Sequence, residues 1–161
     1  MDALVNITYD EIKLGDSATY RKTLTEKDLI LFAAVSGDVN PVHLDAEFAA
    51  TSMFKERIAH GMWSGSLISA ALATVIPGPG TIYLGQSLRF RRPVKLGDTL
   101  TVTLTAKEKQ DEKKIVVFDC NVVNQDGKDV VTGTAEVIAP SEKVNLRAPV
   151  LPEIRIAGID N

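Results

Sequence analysis

Residues 62–76 read MWSGSLISAALATVI and decide the fold. Apolar residues occupy nearly every face of the helix that this stretch would form, with small residues dispersed among them. A helix that is apolar all round is expected to be buried all round, because no face of it favours water. The stretch is followed at residues 77–80 by PGPG, a strong signal for the end of a helix. A helix wrapped in this way needs a sheet that curls around it.

The sequence after this stretch supplies the strands. Residues 81–90, 99–109, 114–123 and 129–138 are rich in β-branched residues and partly alternate between apolar and polar. Turn signals separate them, and QDGK at residues 125–128 is typical of a hairpin loop. A first strand is predicted over residues 17–25. Helices followed by consecutive antiparallel strands predict the α+β class, with an antiparallel sheet wrapped around a long central buried helix, which is the hot-dog architecture.

Two shorter helices are predicted before the central one. Thr25 and Asp28 form an approximate capping box, and the helix that they begin is expected to end at Gly37. Asp45 is expected to cap a second short helix. The segment from residue 140 contains three prolines and has no periodicity, which predicts an extended, poorly ordered end or a linker.

Composition narrows the class of protein. The chain has 161 residues, which suits one domain, and its net charge of −3 gives no reason to expect nucleic acid or an anionic membrane as a partner. The single cysteine, Cys120, excludes an intramolecular disulfide and a multi-cysteine metal site. The N-terminus has acidic residues where a signal peptide needs basic ones, so we expect a cytoplasmic protein.

Residues 36–43 read SGDVNPVH and place a carboxylate, an amide and an imidazole close together. An ordinary polar turn explains each residue separately. An aspartate near a histidine also fixes the imidazole tautomer and helps to hold a reacting water, which is what an active site of Asp38 and His43 would need. Two histidines without a carboxylate cluster make a poor metal site, so no metal is expected.

The dipeptide His60-Gly61 stands at the start of the central helix. A helix N-terminus offers unpaired N–H groups and partial positive charge, and Gly61 would let a substrate oxygen approach the backbone. The pattern fits an oxyanion hole. The alternative for Gly61 is a simple glycine at a helix start. For His60 we favour a structural histidine.

The stretches SGDVNPVHLD, FAATSMFKERIAHGM and GTIYLGQSLRFRRPVKLGDTL resemble the MaoC-like (R)-specific enoyl-CoA hydratases, the hydratase 2 group. The resemblance runs from about Leu14 to Ala139. It implies one MaoC-like hot-dog domain over residues 1–139, with residues 140–161 as an extended C-terminal tail or linker. It also implies a homodimer or dimer of dimers that hydrates trans-2-enoyl-CoA to (R)-3-hydroxyacyl-CoA. No cofactor is expected, since CoA enters as part of the substrate.

The resemblance assigns roles residue by residue. Asp38 and His43 match the catalytic dyad, and the backbone N–H of Gly61 matches the oxyanion donor. The residues expected to contact substrate or to support the dyad loop are Asn40, Ser69, Gln86 and Ser87. Arg89, Arg91 and Arg92 would meet the CoA phosphates, although a solvated strand end explains them as well. Trp63 departs from the aliphatic residue common in relatives, and we expect it to pack in the core.

Two other functions remain open at this point. One is a hot-dog acyl-CoA thioesterase, which would also need a carboxylate and an oxyanion hole. The other is a non-catalytic acyl-CoA-binding domain, which has no need of an Asp–His pair. The D-x-N-P-x-H spacing favours the hydratase over both. Whether the chain stands alone or is a domain of a longer fusion is left open, as are acyl length and pathway.

Overall fold

The computed structural model describes residues 3–159. Within this range the strands and helices follow the order β1 (Ala3–Val5), β2 (Ser17–Thr23), α1 (Glu26–Ser36), α2 (Pro41–Leu44), α3 (Ala46–Thr51), α4 (Gly61–Thr74), β3 (Ile82–Phe90), β4 (Thr99–Gln110), β5 (Ile115–Val123), β6 (Asp129–Ile138) and β7 (Asn145–Arg147). The early helices and the later strands confirm the predicted α+β class.

Five strands form one antiparallel sheet in the order β2-β4-β5-β6-β3. Alternate residues of the inner strands point to one face of the sheet and are fully buried, among them Val102, Leu104, Val116, Phe118 and Val122. These side chains join residues of α4 in a single hydrophobic cluster. The sheet therefore curves around α4 as predicted, with β2 and β3 as its two edges.

Helix α4 is buried on one side rather than on every side. Its buried residues are Trp63, Ser64, Gly65, Leu67, Ile68, Ala71 and Leu72. Met62, Ser66 and Ala73 remain exposed, Met62 to 56%. The prediction of burial all round was wrong for this open stripe (Met62, Ser66, Ala73), because the five strands cover only the opposite side of the helix. Trp63 packs in the core, as expected.

Capping residues explain where α1 begins and where it ends. Thr25 accepts a hydrogen bond from the Asp28 backbone N–H, and the Asp28 carboxylate accepts one from the Thr25 N–H, so the predicted capping box is complete. Gly37 ends the helix in the left-handed region with a φ of 78°, which favours glycine. Asp45 caps α3 by accepting from the Phe48 N–H. These three predictions are confirmed.

The C-terminal segment is anchored where it meets the N-terminus. Strand β7 pairs antiparallel with β1, and Leu4 lies opposite Leu146. The Asn6 side chain donates to the carbonyl of Glu142 at 2.7 Å and accepts from the Val144 N–H at 2.9 Å. Residues 142–147 are therefore held against the N-terminal segment by hydrogen bonds, and the interpretation of residues 140–161 as an extended tail or linker stays a prediction. The domain boundary at residue 139 stays a prediction.

Helix α4 spans 14 residues, whereas a bilayer crossing needs about 20. Among residues 3–159, no helix is long and apolar enough to cross a membrane. The cytoplasmic location stays a prediction.

We predict that Ile68→Ala destabilises the fold by about 2–5 kcal/mol, because Ile68 is fully buried between α4 and the sheet and its truncation leaves a cavity. Denaturant unfolding followed by circular dichroism measures the change. Leu14→Ala is the matched control, since Leu14 is 63% exposed and its truncation opens no cavity. Equal stability of both variants would contradict the central role of α4.

Candidate active site

The loop between α1 and α2 is held by its own polar side chains. One carboxylate oxygen of Asp38, Oδ1, accepts the Asn40 backbone N–H at 3.1 Å. Asn40 in turn caps α2, because its Oδ1 accepts the Val42 N–H at 3.2 Å and Pro41 occupies the first helical position. Asn40 therefore links the Asp38 carboxylate to the start of α2, and its role in supporting a catalytic loop stays a prediction. This arrangement leaves the second carboxylate oxygen, Oδ2, free to face His43.

His43 lies on α2 and is 7% exposed. Its Nδ1 is 2.7 Å from the carbonyl oxygen of Ile58, and since a carbonyl only accepts, Nδ1 carries the hydrogen. In the neutral ring Nε2 then carries a lone pair, and this atom faces Asp38 Oδ2 at 3.8 Å. That distance is too long for a direct hydrogen bond. It is less than twice a normal hydrogen-bond length of about 2.8 Å, so one water can contact both atoms.

His60 lies against both members of this pair and is 3% exposed. Its Nε2 is 2.9 Å from the backbone carbonyl oxygen of Asp38, which makes Nε2–H the donor. Its ring stacks on His43 with centroids 3.7 Å apart and planes 25° apart. Its Nδ1 is buried and has no hydrogen-bond partner among residues 3–159. Two histidines with opposite tautomers are therefore packed face to face.

Asp38, His43 and His60 together have the composition of a metal site. One ligand atom from each lies within 4.8 Å of the others. A metal ion, however, must lie near the plane of each imidazole that binds it. Stacked rings direct their nitrogen lone pairs within nearly parallel planes, so one ion cannot be in plane with both. This geometry does not suit coordination of one ion by both histidines. The expectation of no metal stays a prediction.

The Gly61 N–H begins α4 directly after His60. Within residues 3–159 this N–H has no acceptor, as expected for the first residue of a helix. A cavity of about 280 Å³ opens beside it and is mostly apolar. Its lining includes Ile58, Phe90 and Val131. A Cβ added to Gly61 would lie 3.0 Å from the Phe90 ring, so a larger residue here would require that ring to shift.

Ser64 lines the same cavity, and sequence reasoning missed it. It is 1% exposed, and its hydroxyl makes no hydrogen bond within the described part of the chain. It lies one turn after His60, and this spacing of four residues was the signal that could have identified it. Ser69 lies further along α4, is half-buried, and does not line this cavity. Its role in contacting substrate stays a prediction.

Gln86 and Ser87 are on opposite faces of β3. Gln86 faces the core side, where its amide approaches Cys120 Sγ at 3.9 Å and its Oε1 accepts from Tyr83. Ser87 points to the outer face and bonds Thr134 Oγ1 at 3.0 Å. The structure brings neither to the cavity beside Gly61. Their predicted contacts with substrate are therefore still untested.

Burial governs the thiol and phenol next to Gln86. Burial raises the pKa of the Cys120 thiol to about 11. Burial is also the main reason why the pKa of Tyr83 is raised to about 12, and the nearby Cys120 is the smaller cause. Both groups therefore stay protonated at neutral pH, and Cys120 is not an activated nucleophile.

Arg91 and Arg92 lie at the rim of the cavity, at the end of β3. Arg91 Nε donates to Thr132 Oγ1 at 3.2 Å, and Arg92 donates to the Asp129 carbonyl at 2.8 Å. Both guanidinium groups keep further N–H donors for a ligand, since each carries five. The rim is therefore cationic while the interior is apolar.

Comparisons with known proteins identify the family. The family described as MaoC like domain matches residues 12–128. An (R)-specific enoyl-CoA hydratase from Rhodospirillum rubrum is 47% identical over 142 residues, covering 87% of this chain and 96% of that protein. Another from Aeromonas caviae is 40% identical over 129 residues, covering 80% and 96% respectively. The solved structure of R-hydratase PhaJ1 from Pseudomonas aeruginosa, unliganded, superposes with a TM-score of 0.93 at 59% identity, covering 96% of this chain and 99% of that one.

We predict opposite neutral tautomers for the two histidines. Long-range ¹H–¹⁵N spectra above the titration range of the rings should show hydrogen on Nδ1 of His43 and on Nε2 of His60, because each faces a backbone carbonyl. A His43→Gln variant assigns the signals. Finding hydrogen on Nε2 of His43 would contradict the proposed geometry of the site.

Proposed function

Because the chain belongs to the MaoC-like family, we propose that it is an enzyme that reversibly hydrates trans-2-enoyl-CoA to (R)-3-hydroxyacyl-CoA. One observation carries the proposal: the His43 Nε2 lone pair and the Asp38 carboxylate face each other across 3.8 Å, with a free N–H of Gly61 nearby. Hydration of an activated double bond needs a base, a positioned water and a donor for the developing oxyanion. His43 Nε2 is the base, the gap between Nε2 and Asp38 Oδ2 has room for the water, and the Gly61 N–H is the donor.

The first step is to orient the water. Asp38 Oδ2 accepts one of its hydrogens and His43 Nε2 accepts the other. Asp38 Oδ1 is already engaged by Asn40, which fixes the carboxylate plane. Ile58 holds the other nitrogen of His43, so only Nε2 can act as the base. The water oxygen is thereby left with lone pairs to attack C3 of the substrate.

The second step is addition. As the water oxygen bonds to C3, its proton moves to His43 Nε2 and the double-bond electrons shift onto the thioester oxygen. The Gly61 N–H donates to that oxygen and stabilises the enolate, an effect typically worth about 10²–10³ in rate. The dipole of α4 adds partial positive charge at the same point. The enolate then collapses, and C2 takes the proton from His43.

The shape of the site suits an acyl thioester. The apolar cavity beside Gly61 accommodates uncharged carbon chain, and Arg91 and Arg92 at its rim carry charge that complements phosphate. The proton that leaves the water returns to C2, so the reaction balances without a metal or a redox cofactor. CoA enters as part of the substrate.

We also propose that the chain forms a homodimer through the edge of β3. This edge strand exposes Ile82, Tyr83 and Leu84, unusually apolar residues for a free sheet edge. A Cβ on Gly65 of α4 would lie 3.1 Å from Leu88 of β3 and 3.4 Å from Met62, so the exposed Met62 lies near this edge. Pairing two copies along β3 would cover the apolar edge and Met62, and two such dimers would associate further.

We predict that Asp38→Asn lowers kcat by about 10²–10⁴-fold, because the amide keeps the shape of the carboxylate but loses its charge. Loss of enoyl absorbance with crotonyl-CoA measures the rate. Asp126→Asn, in the exposed hairpin loop, is the matched control. Turnover equal to that of the control would refute the role of Asp38, and release of free CoA thiol by the parent would support a thioesterase instead.

For the dimer, we predict that Leu84→Lys produces monomers, because a charge on the paired edge of β3 would be buried in the interface. Sedimentation velocity measures the oligomeric state. Leu14→Lys, a charge on an exposed leucine elsewhere, should leave the dimer intact. A parent chain that sediments as a monomer would disprove this assembly.

A further inference from the structure

His60 contacts each part of the proposed catalytic apparatus, although it has no place in the chemistry described above. Its Nε2–H donates to the backbone carbonyl of Asp38 at 2.9 Å. Its ring stacks on His43 at 3.7 Å. Its own backbone leads directly into Gly61. We propose that His60 is the positioning residue that sets the distance between Asp38, His43 and the oxyanion donor.

The contact with Asp38 links two distant parts of the chain. Asp38 belongs to an exposed loop, and its side chain is half exposed. Within that loop Asp38 makes only local hydrogen bonds. Its carboxylate accepts the Asn40 backbone N–H, and its own backbone N–H donates to Ser36 Oγ. The His60 ring supplies the bond that ties this loop to the start of the buried helix, 22 residues away. Without it, the position of the carboxylate depends on short-range contacts alone.

The His60 ring is itself in contact with two other rings. His43 stacks on it, and Phe32 of α1 lies with its centroid 5.0 Å away and its plane tilted by 49°. Phe32 therefore restricts the movement of His60, and His60 in turn restricts the ring that carries the proposed base. The His43 ring is fixed in its own plane by the bond to Ile58 and out of that plane by the stack on His60.

The unpaired Nδ1 of His60 supports a functional explanation. A buried polar atom without a partner is normally destabilising, and such atoms in native structures need a reason. A leucine or phenylalanine would fill the same volume without this cost. Both would lose the donor to Asp38, and leucine would also lose the flat face against His43. Histidine combines a ring face with a donor at the far end of the ring.

The proposal rests on the proposed hydratase function, and three variants separate its two contacts. His60→Gln keeps an N–H donor at a similar reach but removes the ring. His60→Phe keeps the ring but removes the donor. His60→Leu removes both. Thermal unfolding of each variant reports any general loss of stability.

We expect His60→Leu to lower kcat for crotonyl-CoA by about 10²-fold, the typical effect of misplacing catalytic groups by about 1 Å, with a much smaller change in KM. Glutamine should restore part of kcat, and phenylalanine should restore less, because the bond to Asp38 carries the positioning. A folded leucine variant with the kcat of the parent would overturn the proposal. A glutamine variant that is no more active than the phenylalanine variant would also overturn the proposal. This second comparison tests the proposal even if the leucine variant does not fold.

A second measurement does not depend on activity. Backbone ¹⁵N relaxation of residues 38–40 should give order parameters of about 0.85 in the parent and the glutamine variant, and lower values in the phenylalanine and leucine variants. Unchanged order in all four proteins would overturn the proposal. If the parent shows no hydration, the proposed function fails, while this measurement still tests whether His60 anchors the loop.

Discussion

Burial of one side of α4 against the five-stranded sheet fixes the position of the N-terminus of that helix, and the site depends on that position. Ile68 and Leu72 are buried in the curve of the sheet, so the helix cannot slide or rotate without exposing them. Its first N–H, from Gly61, is thereby held at one end of the apolar cavity. A rigid helix end is a suitable oxyanion donor because it needs no reorganisation when charge develops.

The second part of this arrangement is the exposed loop that carries Asp38. The loop is tied to the N-cap of α4 through a backbone carbonyl, not through the carboxylate itself, because the Asp38 carbonyl accepts from His60. His43 on α2 is held in a similar way, since it donates to the carbonyl of Ile58. This division leaves the reactive atoms, His43 Nε2 and Asp38 Oδ2, free for water. The two tautomers are opposite because the two carbonyls approach opposite nitrogens of the rings. Catalytic groups held in this way are preorganised by neighbours that do not take part in the reaction.

The sequence predicted those features whose causes are local. Strand β6 and the caps of α1 were predicted because β-branched residues, Thr25 and Gly37 act over a few positions. The proximity of Asp38 and His43 was predicted because they are five residues apart in the sequence. Helix α2 was missed since four residues show no periodicity, and β1 and β7 were missed since they pair across the length of the chain. Ser64 and the contact of His60 with Asp38 depend on how α4 is rotated against the sheet, which residue spacing alone does not determine.

The most direct test is hydration of crotonyl-CoA by the parent and by His43→Ala, followed by chiral analysis of the product. The account predicts turnover by the parent that yields (R)-3-hydroxybutyryl-CoA. It also predicts that turnover collapses in the variant, because the variant lacks the imidazole that takes the proton of the water and delivers it to C2. Undiminished turnover by His43→Ala, an (S) product, or cleavage to free CoA would contradict the account.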